Sequence, residues 1–439
     1  MLHLYALQFL NIQYFQNRIL PNNRAGAAAA SRMSFQVWYQ TGVGVRATVN
    51  FPAHGGPALP PSLLFRNMSP AAADFDLSPA DAHFMKRRGA HNKLRVGGFI
   101  CCTGSPGVWG PCATSSAQLA VAEINKRGGI LGREIELSIY DAGGPLDGIL
   151  SRAEQAIASD EIDLIVGLHT SAVRVALRKV TTRHSIPYIY TPVYEGGEQT
   201  PGVMAIGETP RWQSRPSIHW LADVKKAARW YLIGSDYVWP WQSHRAVKRY
   251  IKEAGGHVVG EEFVPLGEDN HEPHLERIRA ARPDVVLISL IGTDSITFNR
   301  AFGECGLGAT TLRLAGAMDE TVLLGIGADN SENLFCASGY FPGIGSRAND
   351  DFQSRYRAMF GPNGPPIGSL GQSSYEGLRF LEAVANKAGT LAMGPMLAAG
   401  RNIVYGGARG PVTVRNGHTR MQMYLAGADG LDFKLIKPI

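Results

Sequence analysis

The amino-acid sequence predicts an α/β protein that consists of two doubly wound parallel-sheet lobes joined by three hinge crossings. Two observations lead to this fold class. Short apolar segments alternate with amphipathic segments of helical period from residue 94 onward, as in parallel sheets whose strands are connected by helices. The same alternation restarts near residues 207–210 with a second set of strands and helices, which predicts a second sheet.

The first β-α-β unit is the most informative part of the chain. Residues 94–101 form a short apolar strand, and apolar residues from 117 to 124 recur at helical spacing. Gly128 and Gly129 follow in the positions of a left-handed helix cap, after which Ile135, Leu137 and Ile139 alternate as a strand that ends at Asp141. These segments predict strand, helix and strand in that order.

The alternation then gives the remaining elements and the lobe boundaries. Lobe one is predicted at 94–208 plus 341–395, and lobe two at 209–340 plus 396–439. Helices are predicted at 148–159, 172–184, 215–228, 242–254, 273–281, 295–306, 320–326, 350–360 and 373–388. Strands are predicted at 162–166, 187–190, 230–234, 257–264, 284–290, 311–315, 334–338, 411–414, 421–426 and 433–436. Asn416-Gly417 and Asp429-Gly430 supply turns between the last strands.

Residues 1–93 lack a convincing period and predict a disordered or non-native N-terminal extension. Polar residues interrupt the first twenty positions, where a secretory signal needs an unbroken apolar stretch. Met85 opens a basic segment nine residues before the first core strand, and translation from there gives a product without an export signal. We therefore expect a cytoplasmic protein. The alternative is a periplasmic protein whose N-terminus is an unrecognised export signal.

Composition excludes several classes of protein. The net charge of +6 is small for 439 residues, and Lys and Arg are scattered, so we expect no direct nucleic-acid binding. No segment has 18 consecutive apolar residues, so we expect no membrane insertion. The five cysteines lack metal-ligand spacing, and they are interpreted as buried free thiols rather than as a disulfide set.

The first unit, with its GG-x-x-G turn and closing Asp141, resembles type I periplasmic-binding proteins. These are two-lobed receptors that close on small polar molecules. The resemblance implies hinge crossings near 208, 340 and 395 and a ligand held between the lobes. Ligands of open α/β sheets bind beyond the carboxyl ends of the strands, so we look for the site in the loops that follow strands.

The loops that follow the predicted strands contain polar and aromatic side chains. Ser171 begins a helix, where it serves either as an N-cap or as a ligand donor. Three aromatic residues within five positions after residue 234 favour a ligand wall. The candidate ligand-binding residues are Ser171, His169, Tyr190, Thr191, Tyr194, Tyr237, Trp239, Thr293 and Asp319.

The segments 190–196, 233–240, 261–266 and 410–414 are similar to the amide- and urea-binding subgroup of this family. The resemblance implies that Ser171, Tyr190 and Tyr237 hydrogen-bond or enclose an amide. Trp239 and His169 each stand where the amide sensor has Tyr, and Met318-Asp319 replaces a Thr-rich loop. Asp319 is predicted to bind either a urea or amide N–H or the ammonium of an amino acid.

Enzymatic motifs for phosphate binding, serine hydrolysis and metalloproteolysis are absent from the sequence, so we expect no enzyme, no catalytic residues, no metal and no cofactor. The favoured function is an amide-sensing regulatory protein that closes on a short amide or urea and signals to a partner such as an antiterminator. The alternative is the substrate-binding protein of an ABC importer for urea, amides or branched-chain amino acids, with an ABC permease as its partner.

Overall fold

The computed structural model describes residues 92–439 and two further strands, β1 (Arg32–Trp38) and β2 (Gly44–Asn50). These two strands pair antiparallel. The predicted disorder of residues 1–93 otherwise lies outside the described residues. No helix of the described chain is long and apolar enough to cross a membrane.

The first lobe is built on a five-stranded parallel sheet with the order β4-β3-β5-β6-β7. Its helices begin and end close to the predicted positions, and Gly128 and Gly129 have the positive φ angles expected after the first helix. The elements are β3 (Lys93–Ile100), α1 (Gly110–Lys126), β4 (Glu134–Asp141), α2 (Leu146–Ala158), β5 (Leu164–Leu168), α3 (Ser171–Arg183), β6 (Tyr188–Tyr190) and β7 (Val203–Ala205).

The second lobe has five parallel strands that connect through helices in the same way, in the order β12-β11-β10-β8-β9. The elements are α4 (Ser214–Lys225), β8 (Arg229–Ser235), α5 (Val238–Glu253), β9 (His257–Val264), α6 (Glu272–Ala281), β10 (Val285–Ser289), α7 (Gly292–Glu304), β11 (Leu312–Ala315), α8 (Glu320–Ile326) and β12 (Leu334–Ser338).

The C-terminal part returns to the first lobe before it ends in the second. Helix α9 (Arg347–Phe360) is followed by α10 (Ser369–Ala388), which packs along α1, and by α11 (Met393–Gly400). A three-stranded antiparallel sheet, β13 (Asn402–Gly407), β14 (Gly410–Arg415) and β15 (His418–Arg420), then contacts α10 through β13. Strands β16 (Tyr424–Asp429) and β17 (Asp432–Pro438) join the second sheet antiparallel, at the β12 edge.

The fold class is confirmed, with two differences in detail. The second sheet is mixed, because β16 and β17 run antiparallel to β12. The sequence placed all of 396–439 in lobe two, whereas the sheet of 402–420 packs on α10 of lobe one. Alternation of apolar and polar residues predicts that a segment is a strand, but it does not predict which sheet the strand joins. The exact division of the chain into lobes stays a prediction.

The parallel strands of both sheets share one order, in which the first strand lies between the second and the third. At this point the chain switches direction across the sheet, and a crevice opens beyond the carboxyl ends of the two neighbouring strands. The switch point lies between β3 and β5 in lobe one and between β8 and β10 in lobe two. Two such crevices are therefore available to form one site.

A buried ion pair joins the segments that connect the lobes. Glu208 follows β7 on the way to lobe two, and its carboxylate accepts hydrogen bonds from Arg409 Nη1 at 2.8 Å and from the backbone N–H of Gly339, just after β12, at 2.8 Å. Both side chains are less than a tenth exposed. Arg409 also donates to Gln372 Oε1 and to the carbonyl of Ser369, both on α10. The pair therefore links the segments after β7 and after β12, where the chain passes between the lobes, to α10 of lobe one.

We predict that Glu208→Gln lowers the free energy of unfolding by about 3–5 kcal/mol, because it leaves the Arg409 guanidinium buried without its counter-charge. Urea-induced unfolding measures this change. Arg347→Met is the matched control: Arg347 is 95% exposed and lies 3.7 Å from Asp351, so its loss should cost less than about 1 kcal/mol. Equal changes in the two variants would contradict the role given to the Glu208–Arg409 pair.

Candidate functional site

A cavity of about 380 Å³, which includes space open to solvent, lies where the two switch points meet; we call it the cleft cavity. Its walls are mostly aromatic and aliphatic, and no Asp, Glu, Lys or Arg is among them. Lobe one contributes Cys101, Pro106, Trp109, Leu168, His169, Thr170, Ser171, Tyr190, Pro192, Val193 and Leu370. Lobe two contributes Tyr237, Trp239, Ile291 and Ala317. Most of these residues directly follow strands, as the sequence predicts for a ligand site.

The N-terminus of α3 forms the polar end of the cleft cavity. Thr170 is the N-cap, since its Oγ1 accepts from Val173 N at 3.4 Å and its carbonyl accepts from Arg174 N at 3.1 Å. The N–H groups of Ser171 and Ala172, in the first turn, are the ones that such a helix leaves for other acceptors. The reading of Ser171 as the N-cap is therefore wrong, because Thr170 occupies that position.

The hydroxyl of Ser171 is directed toward lobe-one partners instead. It donates to Glu195 Oε2 at 2.7 Å and lies 3.4 Å from the hydroxyl of Tyr190. Tyr190 in turn donates to the carbonyl of His169 at 2.9 Å. Ser171, Tyr190 and His169 are thus brought together as predicted, and Glu195 is a neighbour that the sequence analysis missed.

An ionic cluster beneath these residues holds them in place. The buried Arg174 pairs with Glu195 and Glu198, and Arg178 lies 3.2 Å from Glu198. The Arg174 guanidinium also stacks over the ring of Tyr190 at 5.3 Å, and it lies 5.4 Å from the ring of Tyr194. Two positive and two negative groups leave the cluster without net charge. Tyr194, a predicted ligand residue, lies in this supporting layer, where burial raises its pKa to about 12.

His169 presents a neutral ring to the cleft cavity. Burial lowers its pKa to about 4, so it is uncharged near neutral pH. Its Nδ1 lies 3.1 Å from the carbonyl of Thr170, and its Nε2 lies 2.9 Å from the hydroxyl of Tyr188. This network favours the tautomer in which Nδ1 carries the proton and Nε2 accepts from Tyr188.

Two aromatic residues at the start of α5 form the lobe-two wall. Tyr237 is the residue before the helix and Trp239 lies in its first turn, with ring centroids 6.3 Å apart. Burial, together with the nearby Tyr190 and Glu195 across the cleft, raises the pKa of Tyr237 well above its usual range. The indole Nε1 of Trp239 is buried and has no hydrogen-bond partner among the described residues. Both residues line the cleft cavity, as the sequence predicts for a ligand wall.

The other predicted site residues lie elsewhere. Thr191 turns into lobe one, where its hydroxyl lies 3.2 Å from the Gly167 carbonyl and 3.1 Å from Ser373 Oγ. Thr293 is exposed in the first turn of α7. A ligand role for these two residues stays a prediction.

Asp319 is the N-cap of α8 and also bonds to lobe one. Its Oδ1 accepts from the backbone N–H of Thr321 and Val322, and from Trp109 Nε1 at 3.0 Å. Its Oδ2 accepts from the N–H of Leu370 at 3.3 Å. The neighbouring Ala317, rather than Asp319, lines the cleft cavity. Through Trp109 and Leu370, the Asp319 carboxylate links lobe two to lobe one. Its predicted contact with a ligand stays a prediction.

The short 3₁₀ helix Ser105–Trp109 closes the cleft from lobe one. Ser105 Oγ donates to the Ile291 carbonyl at 2.7 Å and accepts from the N–H of Asp294 at 3.2 Å. Gly292 permits this approach, because a Cβ atom at that position would lie 1.8 Å from the Ser105 carbonyl oxygen. The sequence analysis missed this segment, although the Gly and Pro residues after the first strand could have indicated a loop beside the site.

The five cysteines are free thiols, as predicted, and Cys101, Cys112 and Cys336 are buried. The prediction of burial is wrong for Cys102, which is exposed, and for Cys305, which is partly exposed. Cys101 lines the cleft cavity, and its Sγ donates to the carbonyl of Ala142 at 3.3 Å.

The sequence profile of the family described as periplasmic binding protein matches residues 93–432. The chain belongs to this family. The match covers the parallel strands of both sheets and every element that lines the cleft cavity.

Two curated relatives of the chain are Leu/Ile/Val-binding proteins. The chain is 35% identical over 98 residues to BraC3 of Rhizobium johnstonii, which is 22% of this chain and 26% of that protein. It is 25% identical over 248 residues to homolog 3 of Brucella melitensis, which is 55% of this chain and 66% of that protein. The chain thus spans about a quarter and just under two thirds of the lengths of these relatives.

Among solved structures, the chain is similar to a solute-binding protein of an ABC transporter from Rhodopseudomonas palustris HaA2 in complex with p-hydroxybenzoic acid. The TM-score is 0.73 at 18% sequence identity, and the match covers 79% of this chain and 97% of that one. At this level of identity the likeness establishes the fold.

The burial of Asp319 predicts a specific pH dependence of stability. Burial raises its pKa from 3.8 to about 6, so the folded protein binds this proton more tightly than the unfolded chain does. The resulting stabilisation is complete below the unfolded value and is lost as pH rises through the folded one. Between about pH 4 and about pH 7 the contribution of Asp319 should fall by roughly 3 kcal/mol at most.

Denaturant unfolding of the wild type and of Asp319→Asn across this range tests the prediction. The variant cannot titrate at residue 319, so the free energy of unfolding of the wild type should decrease relative to that of the variant as pH rises. A constant difference between the two proteins would show that Asp319 does not carry this pH dependence.

Proposed function

We propose that this protein is the solute receptor of an ABC importer and that it binds a small carboxylate with an apolar, aromatic body without chemically changing it. The observation that carries the proposal is the cleft cavity, which both lobes enclose and whose walls are aromatic and aliphatic except at the N-terminus of α3. Ligand sites of this kind combine an apolar surface with a few placed polar groups.

The polar end of the cleft suits an anion. The first-turn N–H groups of α3 are donors, and the helix dipole adds positive potential at this end. The neutral ring of His169 adds no charge. The carboxylate of the ligand would accept hydrogen bonds from these donors. The aromatic ring of the ligand would lie among Trp109, Tyr237 and Trp239.

The same cavity offers little to an ammonium group or to urea. No carboxylate lines it, Asp319 accepts four hydrogen bonds from protein groups, and Glu195 is paired with Arg174. Burying a charged ammonium or several amide N–H groups without acceptors is costly. This argument favours a carboxylate without an amino group over the short amide, urea or branched-chain amino acid that the sequence suggested.

The comparisons support the importer receptor, the alternative of the sequence analysis, over an amide sensor. Both curated relatives carry the name Leu/Ile/Val-binding protein, and the similar structure from Rhodopseudomonas palustris belongs to an ABC transporter and holds an aromatic acid. We therefore propose an ABC permease as the partner and a periplasmic location, in place of the antiterminator and the cytoplasm.

Isothermal titration with 4-hydroxybenzoate, 4-hydroxybenzamide and isoleucine tests the ligand class. The carboxylate should bind, and 4-hydroxybenzamide should bind at least about tenfold more weakly, because it lacks the charge that the α3 N-terminus stabilises. Ser171→Pro removes the N–H of the first helical residue, a position where proline is tolerated, and should weaken binding of 4-hydroxybenzoate by about tenfold through loss of one buried hydrogen bond. Ser171→Ala is the matched control, since it keeps that N–H and loses only the hydroxyl, which donates to Glu195.

Three results would count against parts of this proposal. Tight binding of isoleucine alone would make the protein an amino-acid receptor. Equal binding of acid and amide would remove the role of the α3 N-terminus. Conversion of any bound solute into a product would contradict a receptor without chemistry.

A further inference from the structure

A second cavity, the inner compartment, lies within lobe two directly behind Trp239 and measures about 360 Å³ with its open space included. Trp239 lines both this compartment and the cleft cavity, so its ring forms part of the wall between them. Its other lining residues are Pro210, Gln213, Ser214, Ser243, Val247, Leu287, Ser289, Leu314, Ala315, Gly316 and Ala337.

In each of two chain segments, residues that are one or two positions apart line different cavities. After β10, Ser289 lines the inner compartment and Ile291 lines the cleft cavity. After β11, Gly316 lines the inner compartment and Ala317 lines the cleft cavity. The inner compartment therefore adjoins the cleft cavity, with Trp239 between the two.

Two residues that line this compartment each have a buried polar atom without a partner among the described residues. The atoms are the indole Nε1 of Trp239 and the hydroxyl of Ser243, and both side chains are buried with 4% exposure. A buried donor without an acceptor is costly, so a bound molecule that pairs with these groups would gain affinity. Because both residues lie on the wall of a cavity, such a molecule has a place to bind.

A third polar group completes the set. Gln213 donates through Nε2 to the carbonyls of Gly316 and Ala337 at 2.6 and 2.7 Å, which fixes the orientation of the amide and leaves Oε1 as an acceptor. The compartment thus offers an N–H donor, a hydroxyl and a carbonyl oxygen, and no charged side chain lines it. A neutral hydroxyl that both accepts and donates a hydrogen bond matches these groups.

We propose that the inner compartment is a second subsite, in which Trp239 and Ser243 bind an uncharged hydroxyl at the far end of an elongated ligand. The proposal rests on the receptor function above, which places the carboxylate of the same ligand at the N-terminus of α3. The protein would then select acids that carry a hydroxyl opposite to the carboxylate, and the Trp239 ring would lie beside the body of the ligand.

Titration calorimetry with two pairs of acids tests the subsite: 4-hydroxybenzoate against benzoate, and 4-hydroxycinnamate against cinnamate. The wild type should prefer the hydroxylated member of at least one pair by about tenfold, the effect of one buried hydrogen bond. This preference should fall to about twofold or less in Ser243→Ala and in Trp239→Phe, which keeps an aromatic ring but lacks the N–H.

Ser235→Ala is the matched control. Its hydroxyl is also buried in lobe two without a partner, but Ser235 lines neither cavity, so the preference should persist in this variant. The same preference in all four proteins, or none in the wild type, would overturn the subsite. The latter result would mean that the compartment holds ordered water only.

A second measurement keeps the subsite testable if none of the four acids binds, a result that by itself contradicts the proposed carboxylate receptor. Phenol alone, a probe without a carboxylate, should shift the indole N–H resonance of Trp239 in nitrogen-15 spectra of the wild type and of Ser235→Ala. The resonance is assigned by its loss in Trp239→Phe. The shift should be absent in Ser243→Ala. No shift in the wild type, or an equal shift in Ser243→Ala, would overturn the subsite.

Discussion

The buried ion pair of Glu208 and Arg409 is the constraint on which the arrangement of the two lobes depends. Its two charges are removed from water, and this is tolerated because Glu208 also accepts from the N–H of Gly339, and Arg409 also donates to Gln372 and to the Ser369 carbonyl of α10. The pair thus holds three distant parts of the sequence at one place: the segment after β7, the segment after β12 and the turn between β13 and β14.

The strand order of each sheet determines where a ligand can bind. The switch points between β3 and β5 and between β8 and β10 open toward each other, so that loops from both lobes enclose one cavity. The closed arrangement is stabilised by bonds between the lobes, from Ser105 to the start of α7 and from Trp109 to Asp319. If a ligand in the cavity strengthens these bonds, its binding favours the closed arrangement of the lobes.

Much of this could be predicted from the sequence, because the signals are local. Apolar periodicity and the glycine cap gave the first β-α-β unit, and the rule that ligands bind after strands identified Ser171, His169, Tyr190, Tyr237 and Trp239, which all line the cleft cavity. The structure differs where the outcome depends on distant packing. Thr191 and Tyr190 are neighbours in sequence, but only Tyr190 lines the cleft cavity, because the Thr191 side chain lies against Ser373 of α10. Asp319 was predicted as a ligand group because partners such as Trp109, 210 residues away, leave no local signal.

We expect the lobes to close around a carboxylate in the cavity that both of them form. Small-angle X-ray scattering of the full chain, with and without saturating 4-hydroxybenzoate, measures this closure, because motion about a hinge changes the radius of gyration while the secondary structure stays the same. The ligand-free protein should be more extended, and the acid should lower its radius of gyration. An unchanged radius of gyration, under conditions in which calorimetry proves the site to be full, would contradict closure around the ligand.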